Sequence, residues 1–198
     1  MTHHYEGDDL IVRKIRLGPM DNNVYVLECP RTHDSVIVDA SFDADAIVRG
    51  ARGTNVTAIW MTHNHRDHVD ALPALSSRLG APVLGHPADD YPVPTTPVQD
   101  GEELRFGEVR VRVLHTPGHT PGGICFLTGT HLFSGDSLFP GGPGNTRGDA
   151  QAFTQLMDAI EAKLFTLPDD TAVYPGHGED TTVGAEKPHA AEWRARGW

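Results

Sequence analysis

One short segment of the chain concentrates residues that bind metal ions, and it reads HNHRDH at positions 63–68. Imidazole and carboxylate groups are the usual ligands of zinc, iron and manganese. His63 and His65 are two residues apart, so in an extended segment their side chains point the same way and can share one ion. Asp67 and His68 are adjacent, so they point apart and can serve a second ion. The spacing predicts a metal site rather than a solvated polar loop.

Three further ligand-type residues each follow a strand-like run, namely His119, Asp136 and His177. A glycine directly precedes each of them, and glycine permits the tight backbone that a converging site requires. Strand ends held in a packed sheet can aim side chains from distant parts of the chain at one point. We therefore expect these residues to meet the 63–68 segment. The four runs that lead into the ligand-type residues are Thr57–Met61, Val109–Leu114, His131–Ser134 and Thr171–Tyr174.

Short strand-like runs dominate the sequence, and several are almost continuous Val, Ile and Leu, as expected for strands covered on both faces. Helical patterns lie among them, which predicts an α/β fold (α+β in some schemes) built in layers. No linker is visible, so we expect a single domain over residues 1–198. The runs are Leu10–Ile15, Val24–Cys29, Ser35–Asp39, Val56–Met61, Val83–Gly85, Val109–His115, Gly123–Leu127, His131–Ser134 and Thr171–Tyr174.

Two helices are predicted from apolar spacing and capping residues: one from an Asp70 N-cap to Gly80, the other after an Asp149 N-cap. A third, weaker pattern covers Ala185–Arg196. Two segments are predicted loops: 87–101, which is rich in Pro, Thr and Asp, and 139–148, which is rich in Gly and Pro. The second of them lies close to the ligand-type residues in sequence, so we consider it as a flexible lid that faces the substrate.

The composition excludes several classes of protein. Sixteen Lys and Arg against 27 Asp and Glu give a net charge of −11, and the basic residues form no run, which argues against a nucleic-acid surface. No apolar stretch approaches the roughly 20 residues of a membrane helix. The acidic start MTHHYEGDD lacks the apolar segment of a signal peptide, so we expect a cytoplasmic protein. Cys29 and Cys125 lie in apolar runs and are expected to be buried thiols rather than a disulfide.

These motifs resemble the metallo-β-lactamase superfamily, whose signature is HxHxDH followed by a His, an Asp and a final His. The branch that the sequence resembles is glyoxalase II (hydroxyacylglutathione hydrolase) in its short bacterial form. TPGHTPGG at 116–123, GDSLF at 135–139, PGHG at 175–178 and TTVGAE at 181–186 carry that resemblance. It implies a four-layer αββα sandwich. It also implies that His63, His65 and His119 bind one metal ion, that Asp67, His68 and His177 bind the other, and that Asp136 bridges them.

The activity that the resemblance implies is hydrolysis of a small-molecule thioester by a hydroxide held between two divalent ions, with Asp67 orienting the hydroxide. We expect zinc, although the ligand set also suits iron or manganese. Asp136 stands where some zinc β-lactamases have Cys, which argues against antibiotic hydrolysis. We also expect no C-terminal helical domain like the one that holds glutathione in full-length glyoxalase II. Arg147 is the one cation in the loop after Asp136; it either holds a substrate carboxylate or is solvated.

Other readings of the motifs remain open. A persulfide dioxygenase uses one iron ion and O₂, and it keeps a similar HxHxDH stretch. Another member of the superfamily could be an esterase, a phosphodiesterase or a nuclease, although the chain is short and acidic for a nuclease. We expect neither a nucleic-acid nor a membrane partner, and the sequence leaves the oligomeric state undetermined. Of the remaining histidines, His115 is the first to reconsider as a ligand, and Asp39 is interpreted as a supporting residue.

Overall fold

A computed structural model describes residues 3–197, which form two stacked β-sheets with helices on both outer faces. The first sheet has seven strands in sequence order, antiparallel from β1 to β4 and parallel from β4 to β7. These strands are β1 Tyr5–Glu6, β2 Ile11–Leu17, β3 Asn22–Glu28, β4 Asp34–Val38, β5 Asn55–Trp60, β6 Val83–Gly85 and β7 Thr96–Pro97.

The second sheet has six strands in the order β15-β14-β11-β10-β9-β8, and a short β12–β13 ribbon follows β11. Its pairs are antiparallel except β11 with β14, which run parallel and therefore end at the same edge. The strands are β8 Glu103–Phe106, β9 Val109–His115, β10 Ile124–Thr128, β11 His131–Gly135, β12 Leu138–Phe139, β13 Gly142–Pro143, β14 Ala172–Pro175 and β15 Thr181–Thr182.

The helices fall into two sets, which follow strands of the first and of the second sheet respectively. The first set is α1 Ala44–Gly50, α2 Arg66–Val69 and α3 Leu72–Leu79. The second is α4 Ala150–Ala159, which continues as a π-helical turn Ile160–Leu164, then α5 Val183–Glu186, a 3₁₀ turn Lys187–His189 and α6 Ala190–Arg196.

Three apolar cores lie between the four layers, and strand β3 contributes side chains to two of them. Every residue of β3 is buried. Tyr25 and Leu27 face the core between the two sheets, whereas Val24 and Val26 face the core between the first sheet and α1–α3. A third core joins the second sheet to α4–α6 through side chains such as Leu132 and Trp193. Because side chains alternate along a strand, near-continuous apolar runs can serve two cores. The four-layer αββα sandwich is confirmed.

The capping predictions had different outcomes. Asp149 caps α4 by accepting hydrogen bonds from the amides of Gln151 and Ala152, as predicted. Asp70 does not cap α3; Ala71 occupies that position, and the Asp70 carboxylate accepts a hydrogen bond from the Phe42 amide at 2.6 Å. The Asp70 carboxylate therefore accepts from a residue distant in sequence and does not cap the N-terminus of α3.

The predicted helix over Ala185–Arg196 is helical over its whole length but divided, because this part of the chain forms the end of α5, a 3₁₀ turn and α6 in succession. Pro188 lies in the 3₁₀ turn. A proline has no backbone N–H and its ring clashes with the preceding helical turn, so an α-helix cannot run through it without a break. Helix α1 was not predicted, because only Ile47 and Gly50 are buried in it and such a short segment shows no apolar stripe.

The predicted flexible lid at 139–148 is instead partly packed. Its centre, Gly142 to Gly144, is buried, and β13 in that segment pairs with β12. The Gly144 amide also donates to the carbonyl oxygen of Ser137 at 3.3 Å. The other predicted loop, 87–101, is irregular apart from β7.

Two expectations from composition can be compared with the structure. Cys29 and Cys125 are free and buried, as predicted. Within residues 3–197, no helix combines the length and the hydropathy that a bilayer crossing requires.

Candidate metal centre

All seven predicted ligand residues converge at one edge of the sandwich. They lie beyond the ends of four strands or on the short helix α2, and side chains from both sheets meet there. The segment after β5 carries His63 and His65, and α2 carries Asp67 and His68; His119 follows β9, Asp136 follows β11 and His177 follows β14.

Three histidines form the first group, which we define as His63, His65 and His119. One nitrogen of each ring lies within 4.8 Å of the others. The closest pair is His65 Nδ1 and His119 Nε2, at 2.8 Å. Three imidazoles in such an arrangement could hold one divalent ion.

The second group consists of Asp67, His68 and His177, whose ligand atoms also lie within 4.8 Å of one another. His68 Nε2 is 3.0 Å from His177 Nε2 and 3.5 Å from Asp67 Oδ2. The prediction that Asp67 and His68 point apart is wrong. They lie in the helical turn α2 and not in an extended segment, so adjacent side chains are separated by about 100° rather than by about 180°.

Asp136 lies between the two groups. Its Oδ2 is 3.3 Å from His119 Nε2 and 4.0 Å from His63 Nε2 in the first group. The same carboxylate is 3.4 Å from His177 Nε2 and 3.5 Å from His68 Nε2 in the second group. A single carboxylate can therefore contact ions bound to both groups.

The glycines that precede the ligand-type residues have the predicted role at all three positions. Gly118 has φ +142°, and a Cβ atom there would lie 2.5 Å from Ala152 O. Gly135 has φ +48°, in the left-handed region that favours glycine. At Gly176, a Cβ atom would lie 2.3 Å from Asp136 Oδ1, so a side chain there would displace the Asp136 carboxylate.

Asp39 holds two of the histidines at their Nδ1 atoms, directly for His68 and through Thr62 for His63. His68 Nδ1 donates to Asp39 Oδ2 at 2.9 Å. The Thr62 hydroxyl donates to the same carboxylate at 2.8 Å, and its oxygen lies 3.0 Å from His63 Nδ1. Hydrogen bonds of this kind select the tautomer that presents Nε2 to a metal. Asp39 also forms a compact group with His63 and His68, but its oxygens are already occupied by these donors, so it supports the ligands.

Backbone carbonyls orient two more rings. His119 Nδ1 donates to Asn145 O at 2.8 Å, and His177 Nδ1 donates to Met20 O at 2.9 Å. His65 is different, because its Nδ1 faces the first group and its Nε2 lies 3.2 Å from an Arg147 guanidinium nitrogen. Four of the five rings therefore present Nε2 to the centre, and His65 presents Nδ1.

Among the seven ligand residues, two buried atoms lack a hydrogen-bond partner within the described part of the chain: His63 Nε2 and Asp136 Oδ1. Leaving a buried polar atom unpaired costs about 1–3 kcal/mol. Both atoms are lone-pair donors directed into the cluster, and a divalent cation would satisfy both. The residues therefore fit a pair of divalent metal ions, and the His/Asp set suits zinc, iron or manganese.

The carboxylates of the centre are strongly held in their charged form. Burial opposes ionisation of Asp136, but the neighbouring rings of His68, His119 and His177 outweigh it and keep its pKa well below the usual range. Hydrogen bonds from His177 and from Asn22 Nδ2, the latter at 2.9 Å, lower the pKa of Asp67. Burial lowers the pKa of His63 well below its ordinary value, so this ring stays neutral and its lone pair is available.

A cavity of about 330 Å³ opens over the cluster. Besides ligand residues, its walls contain Met20, Arg66, Asn145 and Arg147. Met20 is 52% exposed and forms an apolar part of the cavity wall. A larger cavity of about 500 Å³ lies near the start of β11 and contains none of the seven predicted ligands.

The structure separates these residues from the other histidines. His115 does not join either group; its ring stacks on His86 with centroids 4.0 Å apart. Arg147 does line the cavity. Three residues at the site were not predicted from the sequence: Asn22, Met20 and Arg66. The position of Arg66 inside the HxHxDH segment could have indicated it. Asn22 and Met20 reach the site through the β2–β3 hairpin, which no local pattern links to the metal ligands.

The chain is similar to known proteins of one superfamily. A family model described as the metallo-β-lactamase superfamily matches residues 17–177. A hydroxyacylglutathione hydrolase of Brucella anthropi is 36% identical over 164 residues, which are 79% of this chain and 61% of that protein.

Three solved structures have the same fold at similar identity. BLEG-1, described as a B3 metallo-β-lactamase, superposes with a TM-score of 0.80 at 32% identity, over 90% of this chain and 97% of its own. ETHE1 from Myxococcus xanthus gives 0.83 at 32%, over 93% and 85%. TTHA1623 in a di-iron-bound form gives 0.79 at 33%, over 89% and 97%. With its fold, its ligand cluster and this family match, the chain belongs to the metallo-β-lactamase superfamily.

Proposed function

We propose that this protein is a hydrolase that uses two divalent ions, zinc in the first instance, to cleave small-molecule thioesters. The observation that carries the proposal is the position of Asp136, whose carboxylate lies within 4.0 Å of ring nitrogens in both ligand groups. A carboxylate in this position can be a ligand of an ion in either group. The likeness to the Brucella anthropi hydroxyacylglutathione hydrolase supports a thioester as the substrate class.

When bound, two divalent ions supply a hydroxide nucleophile at neutral pH and polarise the scissile carbonyl group. The residues of the chain position the reaction. Asp67 lies at the cavity wall with Asn22 Nδ2 donating to its Oδ2 at 2.9 Å, so its carboxylate is fixed and ionised. We assign to Asp67 the role of accepting a hydrogen bond from the attacking group and so orienting it towards the carbonyl carbon.

The cavity supports a small substrate with an anionic group. Its volume of about 330 Å³ is within the range of small-molecule sites. Arg66 and Arg147 both line it, and the guanidinium of Arg147 reaches His65 Nε2 at 3.2 Å. A guanidinium can hold a carboxylate through two parallel hydrogen bonds, so Arg147 is the proposed substrate-binding residue. We propose neither a nucleic-acid partner nor a membrane partner.

Persulfide oxidation at one iron ion is the second candidate function. The likeness to the ETHE1 structure favours it, at 32% identity over 93% of the chain. The similar structure in a di-iron-bound form supports iron as the alternative to zinc in a site for two ions.

The first test is the metal content per chain of gently purified protein, measured by mass spectrometry without added metal. The proposal expects two ions per chain and turnover in a panel of thioesters that begins with S-lactoylglutathione. One iron per chain, no thioester turnover and O₂ consumption with a persulfide would replace it with the dioxygenase. A β-lactam belongs in the same panel because BLEG-1 is described as a lactamase.

A further inference from the structure

Asp89 is a buried carboxylate that belongs to neither ligand group. It lies in the turn after β6, where its amide donates to His86 O at 3.2 Å, and it is 5% exposed. Burying a carboxylate is costly unless donors surround it. Its contacts therefore show what this charge is used for.

Three donors from two separate segments converge on the Asp89 carboxylate. Oδ2 accepts a hydrogen bond from the Asn64 amide at 3.1 Å and another from the Thr120 hydroxyl at 2.8 Å. Oδ1 accepts one from the Gly122 amide at 2.8 Å. The packing is close on the same side, since a Cβ at Gly122 would lie 2.6 Å from Asp89 Cγ.

These two segments carry the whole first ligand group. Asn64 lies between His63 and His65, and Thr120 directly follows His119. The segments are also joined before His63, where the Ile124 amide donates to Thr62 O at 2.9 Å. Asp89 adds a second junction beyond His63, so the separation of the two segments is fixed at two points.

The second junction matters because metal ligands must be held within about 0.5 Å of their required positions. Asp39 has the corresponding place behind Thr62 and His68, with its carboxylate accepting from both. An ionised carboxylate forms stronger hydrogen bonds than a neutral amide, and it offers acceptors only. An asparagine in its place would direct an NH₂ group at one of the three donors.

We propose that Asp89 is the positioning residue of the first ligand group, holding His63 and His65 at the correct distance from His119 without touching the ion. The inference rests on the proposed metal centre and is independent of the substrate. Loss of Asp89 should therefore weaken one ion much more than the other.

The test is Zn²⁺ binding by Asp89→Asn, measured by competition with a chromogenic chelator. The matched control is Asp90→Asn, the exposed neighbour whose backbone oxygen, and not its carboxylate, contacts Asn64. We expect Asp89→Asn to lose about 10–100-fold in affinity at one of the two ions, the range seen when a hydrogen-bond partner of a metal ligand is removed. The control should retain the affinity of the unmodified protein for both.

The affected ion is identified in a His177→Gln background, which retains only the first group intact. Asp89→Asn must weaken the remaining ion there by the same factor. Equal affinities with and without Asp89→Asn in this background would overturn the inference, as would equal weakening of both ions in the full centre. These readouts involve no substrate, so a failed thioester assay leaves them unaffected.

Thr120→Val is the second variant, used if Asp89→Asn does not fold. It removes one of the three donors and leaves the carboxylate in place. We expect a several-fold loss at the first group with circular dichroism unchanged. Unchanged Zn²⁺ affinity in Thr120→Val, in a sample where Asp89→Asn is unfolded, would assign Asp89 a role in folding only.

Discussion

We expect occupancy by two ions to depend on Asp136, which lies between the two ligand groups. Replacing it with Ala removes the only described carboxylate within 4.0 Å of nitrogens in both groups. We expect Asp136→Ala to contain one ion per chain or fewer, with its fold retained because the carboxylate lies at the cavity wall rather than in an apolar core. Mass spectrometry and circular dichroism check both parts. Asp169→Ala, at a side chain 76% exposed, is the control; two ions in Asp136→Ala would contradict the bridging role.

His177 makes metal binding depend on pH. Burial opposes its protonation, but hydrogen bonds to Asp136 and Asp67 raise the pKa of His177 to about 10. An ion needs the lone pair on Nε2, so in metal-depleted protein it must displace this proton. We therefore expect affinity at the second group to rise by up to about tenfold per pH unit between pH 7 and pH 9. Calorimetry in two buffers of different ionisation heat should detect the released proton, and His177→Gln should reduce the release. Some release should remain, because nearby carboxylates also raise the pKa of His68.

The same shift has a consequence for stability in metal-depleted protein. The folded-state pKa of His177 lies above its unfolded value of about 6.5, so the stabilisation is fully present below that pH. It is lost as the pH rises through about 10. Unfolding by urea should therefore become easier across that interval, and less so in His177→Gln. A stability that is flat over this range in both proteins would contradict the proposed pairing.

The residues of the two ligand groups and the supporting role of Asp39 were predictable from sequence, whereas the supporting role of Asp89 was not. Residue type and strand-end position suffice to select side chains such as His119 and Asp136. Asp89 lies 25 residues from Asn64 and 33 from Gly122, and it joins them only through the fold. Nothing in its own segment distinguishes this carboxylate from its exposed neighbour Asp90. The role of Asp89 depends on tertiary contacts, which no local pattern encodes.

At the scale of elements, strand β3 holds the loop that carries His177. Asn23 Nδ2 donates to Pro175 O at 2.9 Å and to Gly178 O at 3.0 Å, and the Asn23 amide donates to Gly176 O at 2.7 Å. The hydrogen bonds therefore span both sides of His177. Through them, the edge of the first sheet sets the position of a ligand that the second sheet supplies.

Asn23→Ala tests that clamp. The side chain is buried, so its loss removes two hydrogen bonds and leaves a small cavity. We expect a fall of about 1–3 kcal/mol in the free energy of unfolding and weaker binding of one ion, the one at the second group. Urea denaturation and Zn²⁺ competition measure the two effects. Asn55→Ala, at an exposed side chain bonded to Asp34, should stay within about 0.5 kcal/mol; an equal effect of both changes would reject the clamp.

The predicted ends of the helices are correct where no tertiary contact competes for the capping side chain. Asp149 is exposed and free to cap α4, so local chemistry decides its role. Asp70 is bound to Phe42 by the fold, and the end of α3 goes without a side-chain cap. Tertiary packing also explains the segment 139–148. Its composition predicts a flexible lid, but its centre, Gly142 to Gly144, is buried in the fold. Apolar periodicity predicts that an element exists, while tertiary contacts decide how it ends.

Across the whole molecule, the metal centre joins the two sheets at one edge. The first sheet and its helices carry His63, His65, Asp67 and His68, whereas the segments of the second sheet carry His119, Asp136 and His177. Each ligand group therefore takes at least one member from either side. Bound ions would act as a clamp on the sandwich in addition to the apolar core between the sheets.

Removal of the ions should therefore destabilise the fold as a unit. Binding to the folded state alone stabilises a protein by about 2.7 kcal/mol per site at a free ligand concentration about 100 times Kd. We expect a chelator to lower Tm in one cooperative transition and added Zn²⁺ to restore it, with hydrogen exchange rising at the metal edge before the far end. His189→Gln, on the C-terminal segment and in neither ligand group, should respond like the unmodified protein. If chelation leaves Tm and the exchange pattern unchanged, the ions do not hold the sheets together.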